Sequence, residues 1–266
     1  MIYKIKLLAA LLFTLTAPLS FAEFDHSQWQ QLLQQHVQEF EGGKITQLDY
    51  AAMQIEHSVL QSYLNSLAAI SRDQFDRWAN DDQLAFLINA YNASTVDLIL
   101  TEYPEVDSIN DIGFFFTSPW RRNFISLFGE QVSLDDIEHG MMRGWDRYQE
   151  PRIHFAVNCA AIGCPSLRAE AYTGDRLQSQ LEDNTRLFLA ARDRNYFSNG
   201  SLYVSKIFDW YQEDFDRDWI GVNSVSEFLL RYADVLDLDA ATASELARAS
   251  IRIRYLDYDW GLNDAR

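Results

Sequence analysis

The chain has 266 residues, of which 48% are hydrophobic and 14% aromatic, enough for the core of one large domain or of two small ones. Its formal net charge of −17 at pH 7 repels nucleic acid and anionic lipid headgroups, so we exclude nucleic-acid functions. With only 5 prolines and 11 glycines, and no repeat or low-complexity tract, long disordered linkers are not expected.

The first 22 residues have the pattern of a secretory signal peptide. Two lysines precede an apolar run from Leu7 to Leu15, which is too short to span a bilayer as a helix. Small residues suited to signal peptidase precede a predicted cut after Ala22, and the alternative is an uncleaved anchor. We therefore expect a periplasmic or secreted protein without a membrane anchor after signal cleavage, folded as a single globular domain over residues 23–266.

Hydrophobic periodicity predicts mostly helices in the N-terminal half. The predicted elements are a helix over residues 25–40, a strand within 44–50 after a Gly42-Gly43 turn, and a helix over 58–70. Asn80 and Gln83, at capping-box spacing, begin the strongest helix, which ends before Pro104. Because its side chains are apolar on nearly every side, we predict that it lies at the centre of the domain.

The C-terminal half mixes helices with short strands. A hairpin over 124–134 turns at Gly129 and Glu130, and Ser133 and Asp136 have capping-box spacing at the start of a helix. The further predictions are a strand over 152–158, a helix over 174–191, a hairpin over 196–205 turning at Asn199-Gly200, helices over 205–215 and 224–233, and a strand over 251–260. This pattern predicts an α+β fold, a mainly helical single domain around a small antiparallel sheet.

Both cysteines of the chain, Cys159 and Cys164, lie in the segment RIHFAVNCAAIGCPSL over residues 152–167. In an oxidising compartment such a close pair tends to form a disulfide, which would stabilise the domain by about 2 kcal/mol. The alternative is a nucleophilic Cys159 at a strand end, with Cys164 as a resolving or redox partner. The spacing fits neither a C-x-x-C redox motif nor a zinc site, and nucleotide and zincin motifs are missing, so we expect no metal and no cofactor.

A nucleophilic thiolate needs a basic partner, and His139 and His154 flank the cysteine segment. At about 100° per residue, His139 points roughly 150° away from the apolar side of its predicted helix, towards solvent or a cleft. His154 lies opposite the apolar residues of its predicted strand and faces a second core layer. Which of the two histidines contacts Cys159 stays open at this stage.

Further candidates come from polar residues in apolar surroundings. Asn89, on the central helix, either holds a nearby loop by hydrogen bonds or orients a catalytic histidine. Trp120 and Arg121 are candidates for a ligand-binding lip, with arginine suited to a peptide carboxylate or another anion. Trp210 and Tyr211, beside Asp214, are candidates for a wall of the site. The alternative for both pairs is an ordinary core edge with a solvated basic turn.

Several stretches together resemble a bacterial family known as domain of unknown function 547 (DUF547). They are AFLINAYNA (85–93), VSLDDIEHGMMR (132–143), RIHFAVNCAAIGCPSLRAEAYTG (152–174), SKIFDWYQEDF (205–215) and YDWGLND (258–264). The first four cover the family's domain over roughly residues 80–230. The resemblance implies that one recurrent pattern contains Asn89, Glu138, His139, Cys159 and Cys164.

This pattern is similar in residue content to cysteine peptidases and transglutaminases, which implies a distantly papain-like or transglutaminase-like fold. One hypothesis is a thiol-dependent hydrolase or acyl-transferase acting on a peptide or amide bond, with Cys159 as nucleophile and His139 as base. Glu138 or Asn89 would orient the imidazole, and N–H groups of the AAIG turn would stabilise the oxyanion. The second hypothesis is a non-catalytic module that binds a peptide, glutathione or another small thiol beside a Cys159–Cys164 disulfide.

Overall fold

The computed structural model describes residues 23–113 and 118–266, so the predicted signal peptide lies outside the described residues. Within that part of the chain, no helix is long and apolar enough to cross a membrane. The described chain has a mainly helical α+β fold with small sheets, as predicted.

The N-terminal half surrounds one long buried helix. Its elements are α1 (Ser27–His36), β1 (Val37–Phe40), β2 (Ile45–Leu48), α2 (Tyr50–Ile55), α3 (His57–Ala68), α4 (Arg72–Phe75) and α5 (Asn80–Leu100). Every side chain of α5 from Gln83 to Val96 is buried, which confirms the predicted central helix. The predicted helix over 25–40 is too long, because α1 ends at His36 and the backbone is extended from Val37. Val37 begins β1, which pairs antiparallel with β2 in a hairpin.

The predicted capping box at the start of α5 is wrong. Ala79 precedes the first turn, and no side chain caps the helix there. The Gln83 side chain instead donates hydrogen bonds of 3.0 Å to the carbonyls of Phe75 and Trp78. Gln83 therefore holds the preceding loop against the helix rather than closing the helix end.

The middle of the chain contains a hairpin of β3 (Ile125–Leu127) and β4 (Glu130–Val132) and a π-helix over Asp136–Met142. The hairpin turns one residue earlier than predicted, because Phe128 and Gly129 take the two left-handed positions of the turn. Short 3-10 helices cover Ile109–Asp111, Pro119–Arg121 and Pro151–Phe155.

The predicted strand over residues 152–158 is wrong, since the segment begins as the 3-10 helix Pro151–Phe155. Pro151 occupies the first helical position, where its missing N–H costs nothing, and the Glu150 side chain accepts a hydrogen bond from the Arg152 N–H. All residues from 151 to 158 are buried. The alternating pattern therefore reflects a segment covered on all sides, not one face of a sheet.

The C-terminal half consists of α6 (Leu177–Ala190), β5 (Tyr196–Ser198), β6 (Ser201–Val204), α7 (Ile207–Trp210), α8 (Gln212–Phe215), α9 (Val225–Arg231), α10 (Ala240–Ala247) and β7 (Arg252–Tyr255). The predicted helix over 205–215 is interrupted at Tyr211, and the last predicted strand ends at Tyr255. β5 pairs antiparallel with β6, but β7 pairs with β6 in parallel. The three-stranded sheet is therefore mixed, and not antiparallel as predicted.

Two hydrophobic clusters form the core, one around α5 and one around α6, β6 and α9. The helix Pro151–Phe155 contributes to both, since Ile153 belongs to the first cluster and Phe155 to the second. His154, between these two residues, is consequently held at the boundary of the clusters.

Candidate functional site

A cleft of about 210 Å³ contains most of the residues that the sequence marked as candidates. Predicted residues that line it are Trp120, Glu138, His139, Cys159 and Tyr211, and His154 lines it too. One side, here called the aromatic wall, consists of Trp120, Trp210, Tyr258 and Trp260, with neighbouring ring centroids 4.7–5.7 Å apart. The cleft thus combines a cysteine, two histidines, two carboxylates and an aromatic wall.

Cys159 and Cys164 form a disulfide in this structure. Cys159 is half-buried and lines the cleft, whereas Cys164 is buried behind it. The Tyr258 hydroxyl lies 3.2 Å from the Cys159 Sγ and donates the hydrogen bond, because a disulfide sulfur has no proton. The structure therefore has no free thiol in the cleft, and its resting state matches the predicted disulfide.

The turn over residues 159–164, called the cysteine turn, is anchored by the C-terminal segment. Gly163 allows this close approach, since a Cβ there would lie 3.0 Å from the backbone N and O of Asp259. All four N–H groups of the AAIG sequence donate hydrogen bonds within the protein. The Ala160 N–H donates to Asn158 Oδ1, and the Ala161 N–H donates to Cys164 Sγ. The Ile162 and Gly163 N–H groups donate to the carbonyls of Gly261 and Asp259, respectively. These N–H groups are occupied, which contradicts the predicted oxyanion site in this turn.

His154 and Asp214 form a buried dyad on the polar side of the cleft. The His154 Nε2 lies 2.7 Å from Asp214 Oδ2, and the Tyr211 ring stacks on the imidazole at a centroid distance of 3.8 Å. Burial opposes ionisation of Asp214, but hydrogen bonds from His154 and Arg143 outweigh it and lower the Asp214 pKa to about 2. The ionised carboxylate can only accept, so the Nε2–H of His154 donates to it. In the tautomer with this single proton, Nδ1 carries the lone pair.

Glu138 lies next to that lone pair. Its Oε1 is 3.8 Å from His154 Nδ1, and neither atom has a hydrogen-bond partner among the described residues. The Glu138 side chain is only 5% exposed. Burial raises the pKa of Tyr91 and Tyr211, and the negative charge of the adjacent Glu138 raises both further.

Glu138 and His139 are adjacent on the π-helix and both line the cleft, but Glu138 is buried and His139 is exposed. The wider turn of the π-helix is marked by the hydrogen bond from the Arg143 N–H to the Glu138 carbonyl, five residues back, and the predicted Ser133–Asp136 capping box begins the segment. His139 is 43% exposed, as expected from its position away from the apolar side, and lines the cleft. The guanidinium of Arg143 donates to His139 Nδ1 over 2.6 Å, because arginine has no acceptor.

Asn89 does not line the cleft. Its amide donates to the Tyr172 carbonyl at 2.7 Å and accepts from the Tyr172 N–H at 3.0 Å, so it holds a loop, one of the two roles considered for it. Asn92 does the same for the cysteine segment, since it binds the Ala156 carbonyl and the Asn158 N–H. The central helix thus positions both loops through buried amides.

Arg121 also lies outside the cleft lining. Its side chain is 78% exposed and its Nε lies 3.3 Å from Asp135 Oδ2. The neighbouring Trp120 does line the cleft and packs against Trp260 at a centroid distance of 5.5 Å. Of the two lip residues predicted from the sequence, the structure therefore brings only the tryptophan to the site.

Sequence reasoning did not assign Asp214, Arg143, Tyr258 or Trp260 to the site. Asp214 is 60 residues from His154 in the chain, and no local pattern indicates that the two side chains pair. The YDWGLND stretch, which carries part of the family resemblance, contains Tyr258 and Trp260 and was the available signal. Within residues 23–113 and 118–266, no group of three or more histidine, cysteine or acidic side chains forms a metal-binding cluster.

Comparison with known proteins supports the family resemblance. Residues 75–189 match the family model described as "Protein of unknown function, DUF547". The matched segment contains α5, the π-helix, the cysteine turn and all of α6 but its last residue. A search of curated proteins and a search of solved structures each found no match to this chain. The family prediction is confirmed, while the distant papain-like resemblance stays a prediction.

Proposed function

We propose that this chain, whose residues 75–189 match the DUF547 family model, is an exported, thiol-dependent hydrolase or acyl-transferase that acts on a peptide or amide bond. The observation that carries the proposal is the His154–Asp214 dyad, because His154 lines the same cleft as Cys159 and its Nδ1 has no hydrogen-bond partner among the described residues. In this proposal the base is His154, and not His139 as first expected from the sequence.

The disulfide keeps the nucleophile inactive until an external thiol reduces it. The incoming thiolate attacks Cys159, which lines the cleft, and Cys164 leaves as a thiolate. The N–H groups of Cys159 and Ala161 point at Cys164 Sγ from 2.9 and 3.4 Å and stabilise the negative charge on that sulfur. A second external thiol then releases Cys159, so that two external thiols become one disulfide and the protein gains two thiols.

His154 then serves as general base and general acid. Its Nδ1 takes the proton of the Cys159 thiol, and the thiolate attacks the carbonyl carbon of the substrate. The imidazolium returns the proton to the departing amine, which leaves Cys159 as a thioester. His154 then takes a proton from water or from an acceptor amine, which attacks the thioester carbonyl. The bond to the Cys159 sulfur breaks, and His154 returns the proton to that sulfur, which restores the thiol. Asp214 and Glu138 flank the ring and stabilise its charged form.

A chromogenic acyl donor tests this proposal directly. The full chain is incubated with p-nitrophenyl acetate before and after mild reduction, alongside Cys159→Ser and Cys164→Ser. We expect acyl-enzyme formation on Cys159 only after reduction, retention of reactivity in Cys164→Ser without reductant, and loss in Cys159→Ser. Equal rates for the reduced wild type and the reduced Cys159→Ser variant, corrected for Cys164 labelling, would contradict a Cys159 nucleophile.

The alternative is a non-catalytic module that binds a peptide, glutathione or another small thiol with the disulfide intact. The occupied N–H groups of the cysteine turn and the extensive aromatic wall favour this second candidate. It predicts that glutathione or a short peptide raises the Tm of the oxidised protein and that Trp120→Ala removes the shift. Ligand-dependent stabilisation without any acyl transfer after reduction would favour this candidate over the enzyme.

A further inference from the structure

We infer that the cleft binds a primary alkylammonium group, R–NH3+, with Glu138 as its anionic anchor and the aromatic wall around its alkyl chain. The inference names a ligand class for the same cleft and rests on the proposed function only in taking this cleft as the substrate site. It requires neither a free thiol nor turnover, so it is tested separately.

The charges around the cleft favour a cation. Carboxylates of Asp135 and Glu138 line it, and within the described residues no lysine or arginine side chain does. Arg143 lies behind the polar side, where it is bound to Asp214 at 2.5 Å and Glu213 at 2.7 Å. The overall charge of −17 adds long-range attraction for cations and repulsion for anions.

The geometry of two unpartnered atoms specifies the kind of cation. Glu138 Oε1 is an acceptor, and so is His154 Nδ1 in the tautomer whose Nε2–H is donated to Asp214. Both atoms are buried, and they are 3.8 Å apart. One donor nitrogen at about 2.8 Å from each atom can reach both, provided that it carries at least two N–H bonds. A primary ammonium has three such bonds, whereas a quaternary ammonium has none. A carboxylate or carbonyl oxygen would place an acceptor against two acceptors.

The neighbouring rings suit the remainder of such a ligand. Trp210 and Tyr258 pack at a centroid distance of 4.9 Å, and Trp260 completes the surface at 4.7 Å from Tyr258. Aromatic faces attract cations and cover alkyl chains, so both parts of R–NH3+ are favoured over water. The buried carboxylate also gains a charged partner, and a charge-assisted hydrogen bond is stronger than a neutral one.

The test is a titration of the oxidised full chain, followed by tryptophan fluorescence or calorimetry at neutral pH. Four probes share one alkyl chain: n-butylammonium, n-butyltrimethylammonium, 1-butanol and butanoate. We expect n-butylammonium to bind at least tenfold more tightly than 1-butanol and several-fold more tightly than its trimethyl analogue, with butanoate weakest. Equal affinity for 1-butanol would show that the positive charge contributes nothing to binding. Equal or tighter binding of the trimethyl compound would show that no N–H group donates to the two acceptors. Either result overturns the inference.

Two isosteric variants provide the matched control. Glu138→Gln removes the proposed anchor, whereas Glu213→Gln removes the same charge from a side chain that is 69% exposed and does not line the cleft. We expect at least a tenfold loss of n-butylammonium affinity in the first variant and no change in the second. Equal affinities would refute the anchor, and if Glu138→Gln does not fold, the probe series on the wild type still decides. The double variant Cys159→Ser/Cys164→Ser should bind n-butylammonium with the wild-type affinity. A failed acyl-transfer assay would therefore not contradict the ammonium site.

Discussion

His154 and Asp214 are joined by a 2.7 Å hydrogen bond although 60 residues separate them in the chain. Both side chains are nearly excluded from solvent, at 1% and 9% exposure. The neighbours of His154 pack into two different hydrophobic clusters, so the imidazole has little freedom to rotate or shift. The cleft therefore contains a histidine with a fixed orientation, whose Nε2 contacts the Asp214 carboxylate.

Asp214 should make stability depend on pH in the acid range. Its pKa is lowered from an ordinary 3.8 to about 2, so its contribution is fully present above the unfolded value and disappears as the pH falls towards 2. We expect Asp214→Asn to lower the free energy of unfolding by about 2 kcal/mol near neutral pH, with the difference from wild type shrinking between about pH 4 and pH 2. Urea unfolding at several pH values measures this, and a difference that does not depend on pH would contradict it.

The two histidines should differ in their effect on Cys159. After reduction, we expect His154→Ala to slow alkylation of Cys159 by iodoacetamide at least tenfold at pH 7, because the base that accepts the thiol proton is missing. His139→Ala should change the rate less than threefold, since that ring is 43% exposed and bound to Arg143. Mass spectrometry of the labelled peptides separates Cys159 from the buried Cys164. The reverse order of effects would return the role of base to His139.

The disulfide should have a modest effect on stability. Closing the loop from Cys159 to Cys164 restricts only a short stretch of the unfolded chain, which corresponds to about 2 kcal/mol. For a domain of this size that difference lowers the Tm by about 4–8 °C. We expect this shift when the pair is replaced by Cys159→Ala/Cys164→Ala, measured by differential scanning calorimetry. Complete unfolding of the double variant would instead identify the disulfide as indispensable to the fold and would argue against a reducible lock.

Asn89 should be important for stability and not for thiol reactivity. In Asn89→Ala both the N–H and the carbonyl of Tyr172 lose a buried partner, at a cost of about 3 kcal/mol in the free energy of unfolding. Asn65→Ala is the matched control, because Asn65 lies exposed on α3 and should change stability by less than about 0.5 kcal/mol. Alkylation of Cys159 in folded, reduced Asn89→Ala should proceed at the wild-type rate. A selective loss of thiol reactivity would support the catalytic interpretation of Asn89.

Local features of this chain were readable from the sequence because they depend on neighbouring residues. The apolar circumference of α5 predicted its burial, Asn199-Gly200 predicted a hairpin, and the short spacing of Cys159 and Cys164 made a disulfide plausible. The exposure of His139 also followed from helical geometry, since its orientation depends on the rotation between adjacent residues. The motifs that indicated the family are themselves continuous stretches.

The partners of the site residues were decided only by the tertiary structure. Alternation over residues 152–158 indicated a strand, but burial on every side and Pro151 produce a 3-10 helix, and the π-helix positions Glu138 in the interior. The pairing of His154 with Asp214, and the parallel pairing of β6 with β7, depend on how two hydrophobic clusters pack. Periodicity records which side of a segment is apolar, but it does not record which distant segment covers that side.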